Sequence, residues 1–252
     1  MDVSFAKTPE LFGVFHMSFL AFALVIDIIL VFCLRKTKSE TLLKIINILG
    51  IVMVVMEVWK QWFVFTYIYD TFSMWFFPWQ LCSMPMYCSF LLPFLKGRLK
   101  RAVLMFLATF SLFSAIMALA VPSDMLRPQI LFTMHGFIYH EMMIIEALSA
   151  AFVVFREEDQ EFRPAVRLFL FMAVVAEIIN VIGYHVIDNN SLRPDMFYIT
   201  PYYKTTQVVF KDIAEALGIL PEIVIYLGLI ILAAYLVFLL ERTLIKKQRT
   251  VA

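Results

Sequence analysis

Paired cysteines are missing from this chain. Its three, Cys33, Cys82 and Cys88, all lie in apolar stretches. An odd number at such spacings makes no disulfide framework, and without a Cys-x-x-Cys pair there is no thiolate metal site to expect. Neither a metal nor another cofactor is suggested. Charge is scarce as well. Only 16% of residues are charged, with a net +1, which gives no electrostatic reason for a nucleic-acid partner. The first ten residues carry one lysine and two acids rather than a basic run, so no cleavable signal peptide is expected. No internal repeat is evident, and with it goes the inverted-repeat signature of many transporters. Glycine is sparse, with 7 residues in 252.

What is present is apolar bulk. The chain is 62% hydrophobic, with 26 Phe, 15 Met and a mean hydropathy of +0.85. Soluble domains run at about 45–50% apolar. The reading is an all-α membrane protein, a single polytopic domain over residues 1–252 with about seven transmembrane helices. A span needs about 20 mostly apolar residues. Seven stretches offer one: Val14–Leu34, Leu42–Tyr69, Trp79–Leu95, Ala102–Val121, a fifth from Pro128 to near Phe155, Val166–Ile187 and Ile223–Leu240. The third is the shortest.

Basic residues collect in alternate loops. Arg35, Lys36, Lys38 and Lys44 follow the first stretch, and Lys96, Arg98, Lys100 and Arg101 the third. Arg156, Arg163 and Arg167 follow the fifth, and Arg242, Lys246, Lys247 and Arg249 the seventh. That is fifteen of the 21 Lys and Arg, against five in the opposite loops and N-terminus. The asymmetry places the N-terminus outside and the C-terminus in the cytoplasm. With no large soluble domain and no targeting segment, a multi-pass protein of a bacterial plasma membrane is the expected setting. One outer loop is long, residues 188–222. It holds Arg193-Pro194-Asp195, an aromatic run (Phe197, Tyr198, Tyr202, Tyr203) and an amphipathic stretch, Gln207–Leu217. That stretch is either an interfacial helix or a lid over a lipid entry.

Ionisable side chains at membrane depth are costly and face a bundle interior or a cavity. The first stretch carries His16 and Asp27. The second carries Glu57, Lys60 and Gln61, which share a face at i,i+3 and i,i+4. The fifth carries His135, His140, Glu141 and Glu146, and the sixth Glu177, Asn180, Tyr184 and His185. Given the orientation above, all four histidines lie in the outer halves of their helices.

Cys82 lies in the outer half too, between Pro78 and Pro85 in Phe77-Pro78-Trp79-Gln80-Leu81-Cys82-Ser83-Met84-Pro85. With Pro78 in a first helical turn, Pro85 would be interior and would free the Leu81 carbonyl beside the thiol. Cys82 would then lie past the first turn, with little help from the helix dipole. It would need a histidine as base to become a nucleophile; without one it is a small buried hydrophobe. Depth along the helices favours His135 for that role, while tilt or a kink would bring His140 level instead.

The motifs together resemble those of the YwaF-like integral membrane proteins. These are Gln80-Leu81-Cys82-Ser83 in a Pro-x-x-Leu-Cys setting, His135-x-x-x-x-His140, Glu57-x-x-x-Gln61, His16 opening the first stretch, and Asn180 in the sixth. The resemblance covers roughly Val14–Ile187. That family is similar to a vertebrate transmembrane acyltransferase of ether phospholipids, in which a cysteine at the matching position acts with a histidine. The resemblance implies a Cys82–His140 pair, whose separation of 58 residues fits better than the 53 to His135. It also implies a membrane lipid substrate. Two features depart from the family: Asp195-Met196-Phe197-Tyr198 is a loose match to an Asn-Tyr-Met-like motif, and the outer loop is larger.

The expected function is a Cys/His acyltransferase, or a lipase-like relative, working through an acyl-thioester. In it Cys82 and His140 are catalytic. His135, Asn180 and Gln80 support them or hold an oxyanion, and Glu57, Gln61 and His16 stand behind. The alternative is a small-solute or proton-coupled transporter with Asp27, Glu57, Lys60 and Glu177 as its relay. A third reading is an accessory protein whose polar residues only tie helices together.

Overall fold

Among the described residues, six apolar helices are long enough to cross a bilayer, and they account for most of the chain. A computed structural model describes residues 4, 7–69, 74–157, 160–186 and 194–249. The helices are α1 (Val14–Arg35), α2 (Ser39–Val64), a short α3 (Met84–Leu91), α4 (Gly97–Phe106), α5 (Leu112–Ala120), α6 (Ile130–Val154), α7 (Arg163–Val186), a surface α8 (Val208–Leu217) and α9 (Ile219–Arg249). Phe65–Tyr69 prolong α2 with π winding. A second π-wound turn, Leu107–Ser111, joins α4 to α5 in one rod. Such wide turns leave carbonyls poorly bonded. Hydroxyls nearby make up part of the loss: Thr109 donates to the Met105 carbonyl at 2.7 Å and Ser114 to that of Ser111 at 3.0 Å.

The α4–α5 rod and α6 are the inner helices. In their most apolar windows 72% and 78% of residues are buried, against 11% in α1 and 17% in α9. The outer helices turn large apolar residues outward, among them Phe22, Val25 and Phe32 on α1 and Phe171, Val174 and Ile178 on α7. Water would not tolerate so continuous an apolar perimeter, and a bilayer would. A stacked aromatic column, Phe106, Phe110 and Phe169, packs α4 and its π turn against α7. At one end Arg156 donates to the carbonyls of Leu34, Arg35 and Thr37, closing the α1–α2 connection onto the end of α6.

Six of the seven expected spans are present within about five residues of their expected limits, except that the seventh continues as α9 to Arg249, nine residues past Leu240. The end of the sixth at Ile187, the first part of the long loop, and Arg193 lie outside the described residues. The third span is different. Helix runs only over Leu81–Phe94, as a 3₁₀ turn, α3 and a second 3₁₀ turn. Its fourteen residues give roughly 21 Å at 1.5 Å per residue, short of the roughly 30 Å hydrocarbon core. The residues before it are committed to tertiary bonds that a continuous helix would break. The Trp79 indole donates to the Met172 carbonyl at 3.2 Å, and the Pro78 carbonyl accepts from the Tyr87 hydroxyl at 2.9 Å. Pro85 therefore stands in the first turn of α3, where its missing N–H is harmless. The Leu81 carbonyl is not freed, because the Met84 N–H takes it.

Candidate active site

Moving the helix start to Leu81 changes the chemistry of Cys82. The cysteine now sits in the first turn of a helix. The partial positive charge of that end favours a developing thiolate. Cys82 is partly exposed, whereas Cys88, on α3, is buried and faces the core.

Cys82 opens onto a cavity of about 460 Å³ between the α5, α6 and α9 walls and the α7–α8 connection. That volume is within the roughly 300–1,000 Å³ range of small-molecule sites. His140, His135, Tyr139 and Gln80 line it with Cys82, as do Glu57 and Lys60 from α2. Most of the remaining wall is apolar, with Phe76, Phe113, Phe132 and Ile230 among its residues. Gln207, Val208, Val209 and Phe210, at the start of α8, also face it. The amphipathic stretch is thus a surface helix whose first turn forms part of the cavity wall. Phe210 meets Tyr226 of α9 edge to face at 4.8 Å, which seats that turn.

The two histidines of α6 are held in opposite ways. His140 is buried, and its Nδ1 lies 2.7 Å from the Gly136 carbonyl one turn back. A carbonyl can only accept, so Nδ1 carries the proton and Nε2 the lone pair. Nε2 is buried without a partner. His135 instead gives its Nε2–H to the Met56 carbonyl at 3.0 Å and stacks between Trp59 and Tyr139.

The α2 cluster forms on one face as its spacing requires. The Lys60 ammonium meets Glu57 at 2.8 Å, and the Gln61 amide donates to the same carboxylate at 2.7 Å and to the Phe76 carbonyl at 2.6 Å. Gln61 therefore ties α2 to the turn that leads toward Cys82.

Gln80 and Asn180 serve one purpose together. Gln80 donates to the Asp195 carbonyl at 2.9 Å and accepts from the Phe197 N–H at 2.8 Å. Asn180 accepts from the Met196 N–H at 2.6 Å and donates to the Met196 carbonyl at 3.1 Å. Between them lie Phe197 and Tyr198, both left-handed at φ 60° and 58°. Non-glycine residues adopt that region at a cost, and two amide side chains fix it here. The turn delivers Tyr198 to the cavity wall, where its hydroxyl donates to Asp124 at 3.1 Å. Asp195 is buried and accepts from the Thr200 N–H at 3.2 Å. Burial pushes its carboxyl up to about 7 against the pull of that bond, and Glu222 and Glu177 add to the rise.

His16 and Asn180 do not line the cavity. His16 is fully buried and both ring nitrogens are engaged: Nδ1 accepts from the Phe12 N–H at 3.1 Å just before α1, and Nε2, 2.8 Å from the Leu119 carbonyl, ties α1 to α5. The carboxylates of the alternative relay are divided among three places: Glu57 with Lys60, Glu177 with Asn180, and Asp27 with Glu141. Among the described residues no three His, Cys, Asp or Glu side chains gather as metal ligands would. Nothing in the helical spacing marks Tyr139, although it immediately precedes His140; its setting depends on packing that periodicity does not report. No protein-family model, curated protein or solved structure matches the chain.

Proposed function

We propose that this protein is a membrane-embedded acyltransferase that moves acyl chains between phospholipids through a thioester on Cys82, with His140 as base. The observation that carries the proposal is the shared cavity. It brings a thiol at a helix start together with a buried imidazole whose tautomer leaves Nε2 free to take a proton. Separated charges are expensive in such surroundings, so thiol and imidazole are both neutral at rest. The proton passes from Sγ to Nε2 as sulfur attacks the ester carbonyl. Collapse of the intermediate breaks the C–O bond, and His140 returns the proton to the departing lysolipid oxygen. In the second half the hydroxyl of an acceptor lysolipid gives its proton to His140 and attacks the thioester; the C–S bond breaks, and His140 returns that proton to the departing Cys82 sulfur. The apolar wall suits an acyl chain, and the polar rim at Asp124 and Gln207 suits the glycerol and headgroup.

The likeness of Gln80–Ser83, His135 and His140 to YwaF-like motifs supports the same reading. In it the N-terminus lies outside, the basic loops face the cytoplasm, and lipid enters from the outer leaflet beside α8. The divided carboxylates give a proton-coupled transporter no continuous path.

Turnover is the test. Protein reconstituted in phosphatidylcholine vesicles with a lysophospholipid should transfer a labelled acyl chain. Cys82→Ser and His140→Ala should each abolish transfer while remaining folded. Undiminished transfer in both variants would refute the proposal.

A further inference from the structure

A thioester mechanism needs more than a nucleophile and a base. The tetrahedral intermediate places a full negative charge on the former carbonyl oxygen, and in an apolar cavity that charge needs a hydrogen-bond donor already in place. Five of the polar side chains on the cavity wall have their donors engaged or carry none to offer. The amide of Gln80 is held at both ends by backbone. The Ser114 hydroxyl donates to the Ser111 carbonyl. The Tyr198 hydroxyl donates to Asp124. Lys60 is held by Glu57, which neutralises it. His135 gives its ring N–H to Met56, so its remaining nitrogen is an acceptor and would repel an oxyanion. Charging His135 would put a second cation beside Lys60 in the same apolar wall.

Two of the cavity-lining residues each carry a buried side-chain atom with no partner: Nε2 of His140 and the hydroxyl oxygen of Tyr139. They are complementary. The imidazole nitrogen can only accept, and the phenol can donate. Buried hydroxyls without partners are rare and call for an explanation. Tyr139 is only 5% exposed, and its ring is fixed between His135, at 5.9 Å and nearly parallel, and His140, at 5.9 Å and edge to face. A donor held by packing and bonded to nothing is pre-organised for a charge that exists only during the reaction.

We infer that Tyr139 is the oxyanion donor of this site: its phenol O–H binds the ester oxygen as the Cys82 sulfur–carbon bond forms and releases it when the C–O bond breaks. The inference rests on the acyl-transfer reading. It assigns to Tyr139 the part that the sequence suggested for His135, and it leaves His135 as a positioning residue between α2 and α6.

Two probes of Cys82 separate the donor from the base. N-dodecyl bromoacetamide alkylates sulfur by direct displacement, which needs thiolate but forms no oxyanion. p-Nitrophenyl decanoate acylates it through a tetrahedral intermediate, which needs both. In Tyr139→Phe the alkylation rate should match wild type, while acylation should fall by roughly 100-fold or more, the usual effect of losing one such donor. In His140→Ala both rates should fall. Wild-type acylation in Tyr139→Phe would overturn the inference, as would a selective loss of acylation in His135→Phe or Lys60→Met without one in Tyr139→Phe. Failure of the acyl-transfer reading itself would look different: alkylation of Cys82 in wild type would be no faster than in His140→Ala.

Discussion

Replacing Asn180 with leucine, nearly its equal in size, should show what holds the wall of the cavity. Asn180 is fully buried, and its amide takes both backbone groups of Met196, itself fully buried. Leucine leaves the Met196 N–H with no acceptor. The Met196 carbonyl keeps only the long 3.4 Å bond from the Ile199 N–H. A buried group stripped of its partner costs about 1–3 kcal/mol, so the N–H in full and the carbonyl in part sum to about 2–4 kcal/mol. Gln80→Leu removes the matching pair at Asp195 and Phe197 and should cost a similar amount. The two losses should not add. Once one clamp is gone the left-handed Phe197–Tyr198 pair can relax, and the second clamp then holds a turn already loosened. A shortfall of about 0.5–3 kcal/mol in the double variant is the coupling expected of residues sharing one network. Unfolding in mixed dodecylmaltoside–SDS micelles, followed by tryptophan fluorescence, measures all three variants. A loss below about 0.5 kcal/mol in Asn180→Leu would refute the clamp, and strict additivity would refute the shared turn.

Two further outcomes follow from neighbouring features. Asp195 has a carboxyl near 7 in the folded chain against an ordinary value of 3.8, so between those limits the folded form holds a proton that the unfolded form has lost. Stability should therefore fall as pH rises across roughly 4 to 7, and Asp195→Asn should flatten that slope; an unchanged slope in the variant would place the effect elsewhere. At Gly50, an added Cβ would lie 2.7 Å from the Phe90 nitrogen and 2.7 Å from the Ser89 Cβ. Gly50→Ala should push α2 away from α3 at a cost of about 1–3 kcal/mol and slow labelling at Cys82; full stability with wild-type labelling would contradict so close an approach.

The membrane helices were legible because their signal is local: long apolar runs ended by charge. Glu57, Lys60 and Gln61 were legible for the same reason, since helical spacing alone puts them on one face. The third segment was not. Apolar content and two prolines suggested a helix from Pro78, but Trp79 and Gln80 bond across the fold to Met172, Asp195 and Phe197, and these bonds outweigh the residues' helical preference. The consequence was a misplaced helix start and a missed contribution of the helix end to Cys82. The histidines show the same division. Their presence could be read, whereas His16 and His135 bound to distant carbonyls, and His140 with one nitrogen free, depend on contacts between helices. Tyr139 gave no periodic signal at all; a free phenol is a property of packing.

The central claim is an acyl-thioester on Cys82, and it can be looked for directly. Purified protein would be incubated with a phospholipid carrying an isotopically labelled acyl chain, quenched in acid and digested, and the Cys82 and Cys88 peptides weighed. The account predicts an acyl adduct on Cys82 alone, removed by hydroxylamine, absent in Cys82→Ser and strongly reduced in His140→Ala. No adduct on the wild-type protein, together with equal and slow alkylation of Cys82 and Cys88, would contradict it.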